Sequence, residues 1–314
     1  MPAKNSHQAE GEGRPQRPED STQPDLFVAA MTGDWPVKDD ISSMEYPIFA
    51  LAKQRSTAIR TCSRGGRTIK VVPSAYGAAT VFDKDILIYC ISQIVAAVNN
   101  GRADSVSRRV HIDVHQFLVG TRRSTGGAAY ARVVDMCRRL KGTTIETNVR
   151  TTAEERTQGF GLIEDYDIVQ HTKNGSGALE LEMTISNWMY RAALDFDILT
   201  LNPAYFDLGQ AMERRLYEIV RKHCGDKAWW VCGLPILHEK TGSASIPKKF
   251  KQEIKSIIQD DQLPDYRVIL DETVTPNQVV FMTRDNKKLM AEANKEGKVD
   301  WVAYYLQSKL PGSK

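Results

Sequence analysis

The sequence predicts an α+β fold built twice on one plan: long helix, short helix, glycine/serine turn, basic helix, β-ribbon. Three observations predict it. Helical apolar stripes from Leu87 to Val98 and from Met212 to His223 each begin such a run. Each is followed by a Gly/Ser turn and an amphipathic helix with cations outside. Each basic helix then gives way to segments of strand character. This order is that of a helix-turn-helix with a hairpin wing, so the reading is two tandem winged-helix domains. Similarity repeated over so long a period constrains the fold more than either half alone. The expected boundaries are a disordered tail over 1–43, a first winged helix over 44–187 and a connection over 188–204. A second winged helix over 205–286 and a C-terminal helix or tail over 287–314 complete the chain.

In the first unit, Asp83 is expected to cap a helix whose Leu87, Cys90, Ile91, Ile94, Val95 and Val98 share one face, stopped by Asn99-Asn100-Gly101. A short strand over Val110–Ile112 and a short helix over Val114–Val119 follow. Gly120 to Gly127 makes the turn. The next helix, about Ala128 to Leu140, buries Val133, Cys137 and Leu140 and exposes Arg132, Arg138 and Arg139. Thr144–Val149 and Phe160–Val169 read as strands, and Leu179 to Ile185 alternates with period two. Lys173-Asn174-Gly175 is the expected wing tip. Ahead of this unit, Arg55, Arg60, Arg64, Arg67 and Lys70 occur with no acid among them, a basic hairpin turning at Gly65-Gly66.

The connection carries Trp188, Met189, Leu194, Phe196 and Ile198, too apolar for a free linker, and is expected to pack against both units. In the second unit the stripe Met212, Leu216, Ile219, Val220 and His223 leaves Arg214, Arg215, Arg221 and Lys222 outside. Trp229 to Glu239 reads as a short helix. The clearest element is the helix after Thr241-Gly242-Ser243. Ser245 is its expected N-cap and Pro247 sits in its first turn, where the missing N–H costs nothing. Phe250, Ile254, Ile257 and Ile258 form its buried stripe, and Lys248, Lys249, Lys251, Gln252 and Lys255 stay outside. A helix with an apolar back and a cationic, amide-bearing front suits a groove lined by phosphates; a solvated lysine face is the plainer alternative. Strands over Tyr266–Leu270 and Gln278–Met282 follow, then a helix marked by Trp301, Tyr305 and Leu306.

A formal net charge of +3 means that any grip on nucleic acid relies on local patches and not on a global field. Five cysteines form no C-x-x-C pair, and Cys90, Cys137 and Cys224 fall on apolar helix faces, which fits a reducing cytosol. No apolar run approaches the ~20 residues that span a bilayer. There is no phosphate-binding G-x-x-x-x-G-K-[ST] and no G-x-S-x-G elbow. His111-x-Asp113-x-His115 could place two imidazoles on one strand face, but no tyrosine nucleophile stands near. An enzyme is the weaker reading, and neither a metal nor a cofactor is expected.

Phe82-Asp83-Lys84-Asp85-Ile86-Leu87-Ile88-Tyr89, Leu140-Lys141-Gly142-Thr143-Thr144-Ile145-Glu146-Thr147 and Phe160-Gly161-Leu162-Ile163 together resemble one family. So do Glu213-Arg214-Arg215-Leu216-Tyr217-Glu218 and Arg221-Lys222-His223-Cys224-Gly225. It is the bacterial plasmid replication initiator protein A group, and the likeness spans roughly Met44 to Arg284. The resemblance implies a protein that binds repeated double-stranded origin sites, helps open them, recruits host replication proteins and represses its own promoter. It also implies that the second unit makes the main groove contact while the first shares DNA binding with formation of a homodimer.

The DNA-binding candidates are therefore Ser245, Lys248, Lys249, Lys251, Gln252 and Lys255 in the second unit. In the first they are Arg122, Arg123, Ser124, Thr125, Arg132, Arg138, Arg139 and Lys173. Rival readings are a winged-helix transcriptional regulator, a nicking enzyme around His111 and His115, and a protein-contact module around Trp229-Trp230.

Overall fold

The computed structural model describes residues 35–51, 55–64, 66–101, 106–150, 155–170 and 179–308. The chain enters through β1 (Val37–Asp40) and α1 (Ile41–Glu45), so residues 35–43, which composition places in a tail, belong to the fold. Trp35 and Val37 are buried, and β1 pairs antiparallel with β9 (Ile198–Leu201) of the distant connection, a partner no local pattern signals. Ahead of β9 come β2 (Arg60–Arg64), β3 (Arg67–Val72), α2 (Lys84–Asn99), β4 (Arg109–Asp113), α3 (Val114–Gly120) and α4 (Gly127–Gly142). Next are β5 (Thr144–Arg150), β6 (Glu155–Gly161), β7 (Ile163–Gln170), β8 (Leu179–Ile185) and α5 (Asn187–Leu194).

A 3-10 turn, Pro203–Asp207, leads into the second repeat: α6 (Ala211–Cys224), β10 (Trp229–Gly233), α7 (Leu234–Thr241), α8 (Pro247–Asp260), β11 (Tyr266–Asp271) and β12 (Gln278–Thr283). Two closing helices, α9 (Asn286–Glu296) and α10 (Val299–Ser308), end the described chain.

The two repeats have the same sheet topology. In β4-β8-β7 and in β10-β12-β11 the first strand pairs with the third, and the third with the second. Thr144–Val149, expected in the wing, lies instead in a four-stranded sheet ordered β2-β3-β5-β6. The chain breaks at Leu162, so Phe160–Val169 is split between two sheets. Trp229–Gly233 is a strand and not the start of a helix. Its aromatic and β-branched residues suit a pleated surface, and Pro235, which suits the first helical turn, opens α7 behind it.

One apolar cluster runs from Trp35 through α2, α4 and β8 to Leu216, Phe250 and Phe281, so the repeats share a core across their junction. A second cluster lies under the closing helices, where Leu289, Ala293, Val302 and Tyr305 cover Ile269, Val280 and Met282 of the second sheet. Cys90, Cys137 and Cys224 are buried free thiols.

Candidate nucleic-acid interface

The turn before α8 is fixed at Gly242. Its φ of 68° is strained for any residue with a Cβ, and a Cβ there would lie 2.4 Å from Cβ of Pro47. The turn is thus pressed against the segment that enters the first repeat. From it, α8 buries Phe250, Ile254 and Ile257, each side chain contributing about 1.5–3 kcal/mol. Its N-cap is Ile246 and not Ser245, whose hydroxyl donates instead to Oε1 of Glu253 at 2.9 Å.

The outward face of α8 carries Lys248, Lys249, Gln252 and Lys255, all exposed, with Lys251 half-buried. Among the described residues no carboxylate pairs with Lys248 or Lys249. The other two lysines share one wing acid. Lys251 Nζ lies 2.6 Å from Glu272 Oε1 and Lys255 Nζ lies 2.9 Å from Glu272 Oε2. Hydrogen bonds from Lys251 and Lys255 hold the Glu272 carboxyl below its ordinary value. Lys251 also donates to Asn277 Oδ1 at 3.0 Å, so the wing and the helix meet through these polar contacts. Exposed pairs of this kind are weak and screened by salt, so a phosphate can displace Glu272.

The first repeat disposes its cations differently. Arg122 pairs with Asp207 of the 3-10 turn, and Arg123 donates to Phe82 O at 2.7 Å and to Asp85 Oδ2 at 2.6 Å. Arg139 grips both oxygens of Asp83 at 2.7 Å, which occupies the carboxylate expected to cap α2. Both Arg123 and Arg139, expected to contact DNA, thus bind internal acceptors through part-buried guanidinium groups. Ser124, Thr125, Arg132 and Arg138 remain on the surface beside two exposed alanines, Ala128 and Ala131. Arg138 pairs with Asp135 at 3.0 Å and lies 5.7 Å from the ring centroid of Tyr76. Tyr76, 58 % exposed, is a surface aromatic that helix periodicity misses because it sits in a loop. Lys173 lies outside the described residues.

Arg214 and Arg215, read as outward-facing, are buried at the junction of the repeats. Lys84 Nζ is 2.5 Å from Asp39 Oδ2 and 3.2 Å from Glu218 Oε1. Arg215 donates to Glu218, to Ser43 O at 3.0 Å and to Lys240 O at 2.8 Å. Arg214 Nη1 donates to Asp85 Oδ1 at 2.5 Å, and its guanidinium lies 4.7 and 5.0 Å from the Phe82 and Tyr205 ring centroids. Burial pushes the Asp39 carboxyl well up, against the pull of Lys84.

Asp113 ends β4 and caps α3, accepting from Gln116 N, so His111 and His115 fall on different elements. Among the described residues no group of three or more His, Cys, Asp or Glu could hold a metal. Trp230 stacks on His223 and Phe281, and Trp229 packs against Trp301, so both rings of the tryptophan pair make contacts within the chain. Among the described residues no helix is long and apolar enough to cross a membrane.

Two helix-turn-helix units, each backed by a three-stranded sheet, define a tandem winged-helix protein. Domains 2 and 3 of RctB have the same fold, with a TM-score of 0.58 at 12 % identity over 77 % of this chain and 98 % of that one. A second RctB structure, of residues 155–483, gives 0.53 at 14 % identity, over 77 % and 97 %. A protein of Wigglesworthia glossinidia brevipalpis, named for a role in replication, is 35 % identical over 245 residues, covering 78 % of this chain and 88 % of its own length. Residues 38–268 match the family described as Replication initiator protein A. The chain belongs to that family, and its function is that of a replication initiator.

Proposed function

We propose that the protein binds repeated duplex sites at a plasmid origin, with α8 in a major groove. One observation carries this reading. The apolar back of α8 is fixed in the core, while Lys248 and Lys249 stand outside beside Gln252 with no carboxylate on them among the described residues. In this reading the lysines contact phosphates and Gln252 offers its amide to an adenine edge. Ser124, Thr125, Arg132 and Arg138 add backbone contacts from α4 and its turn. Binding then opens the origin and recruits host replication proteins in the cytoplasm, with no covalent step, and the first repeat serves a homodimer.

Footprinting the purified protein on DNA flanking its own gene tests the reading. Tandem protected repeats support it; a single palindrome points to a transcriptional operator instead. Changing Lys248 and Lys249 together to Ala is expected to lower the slope of log K against log salt by about 2 units, at ~0.9 per phosphate. An unchanged slope removes both residues from the interface.

A further inference from the structure

The helices that open the two repeats, α2 and α6, meet through reversed charge pairs. Lys84 and Asp85 are consecutive on α2, and they face Glu218 and Arg214, one turn apart on α6. All four side chains are at most 4 % exposed. Asp85 is the branching point. Its Oδ1 takes Arg214 of the second repeat at 2.5 Å, and its Oδ2 takes Arg123, in the turn that leads into α4, at 2.6 Å. Arg214 is held in turn by Leu208 O at 2.9 Å and Phe206 O at 3.1 Å. One carboxylate therefore connects the reading turn of the first repeat to the helix that backs the second. Buried charges hold such geometry tightly, because moving one partner leaves the other without compensation in a medium of low polarity.

We propose that Asp85 is a positioning residue that fixes the angle between α4 and α8, and so sets the spacing of the two duplex segments the protein reads. This rests on the DNA-binding reading above. A rigid pair of readers accepts one spacing, since each inserted base pair moves the second segment by ~3.4 Å and turns it by roughly a tenth of a turn. Without the Asp85 link, the two units reach segments at other spacings with less loss.

The test uses the full chain and a duplex carrying the repeat located by footprinting. One, two or five base pairs are inserted between the segments contacted by the two units, and the affinity ratio of native to altered duplex is measured. Wild type is expected to lose ~10-fold or more in affinity on each altered duplex, and Asp85→Asn ~3-fold or less. The ratio is insensitive to the folded fraction, so lost stability alone does not move it. Arg123→Ala, at a side chain 22 % exposed, removes one arm of the link and serves if Asp85→Asn does not fold. An insertion penalty unchanged in the variants, or absent from wild type, overturns the proposal. Wild type that protects no repeat overturns the DNA-binding reading itself.

Discussion

The two repeats share a sheet order, but the turn and α4 of the first dispose Arg122, Arg123 and Arg139 differently from the lysines of α8 in the second. In the first, Arg123 and Arg139 turn inward onto Asp85 and Asp83, and Arg122 reaches Asp207 at the edge of the second repeat. In the second, Lys248, Lys249 and Lys255 point outward from α8, and the acid that meets Lys251 and Lys255 is itself exposed. Burial separates the two cases. A guanidinium with several donors can satisfy a buried carboxylate and nearby carbonyls together. A lysine on a solvated helix keeps its charge available to phosphates. The same scaffold thus ties Arg123 and Arg139 into the first repeat and leaves the α8 lysines on the surface of the second.

The comparison breaks first at Lys84. Lys84→Ala removes the cation shared by Asp39 and Glu218, and urea unfolding is expected to show a loss of ~3–5 kcal/mol. Lys248→Ala on the exposed face of α8 is expected to stay within about 0.5 kcal/mol. A loss below ~1 kcal/mol at Lys84 would contradict a stabilising role for the junction.

Next, Gln252→Ala is expected to relax preference at one base pair by ~1–3 kcal/mol in competition binding. Full discrimination in that variant would take Gln252 out of base reading.

A smaller effect is expected at Glu45, which meets Lys222 and Lys240 from α1. Burial raises its carboxyl, but the two lysines outweigh burial and hold it at about 2 against an ordinary 4.5. A depressed folded value means that this contribution is complete above 4.5 and lost as pH falls towards 2. Glu45→Gln is expected to cost about 1–2 kcal/mol at neutral pH and to flatten stability across that window. Wild type and variant with parallel acid-unfolding curves would contradict this.

The smallest change belongs to Glu272→Gln, which releases Lys251 and Lys255. Binding to arbitrary duplex at low salt should tighten by about 3-fold, with a steeper salt slope. Weaker binding would show instead that Glu272 holds the two lysines where DNA needs them.

The apolar stripe of α8 was legible because it is local: Phe250, Ile254 and Ile257 announce their own face at helical spacing. The same reasoning failed at Arg214 and Arg215. A charged side chain looks solvent-facing until a partner appears, and Asp85 is 129 residues from Arg214. It failed likewise at β5, whose β-character was evident but whose partner in another sheet was not. Among the proposed DNA contacts, Lys248, Lys249 and Gln252 are legible from helical spacing alone. Tyr76 and Glu272 lie in loops, where no period exists to place them.

By itself the sequence determined the repeated long helices and basic helices and the lysine-bearing front of α8, because periodicity and turn chemistry act over a few residues. Only the tertiary structure decided which arginines face inward and how the repeats are joined. Those outcomes depend on carboxylates brought from far along the chain into sites where an unpaired charge cannot remain.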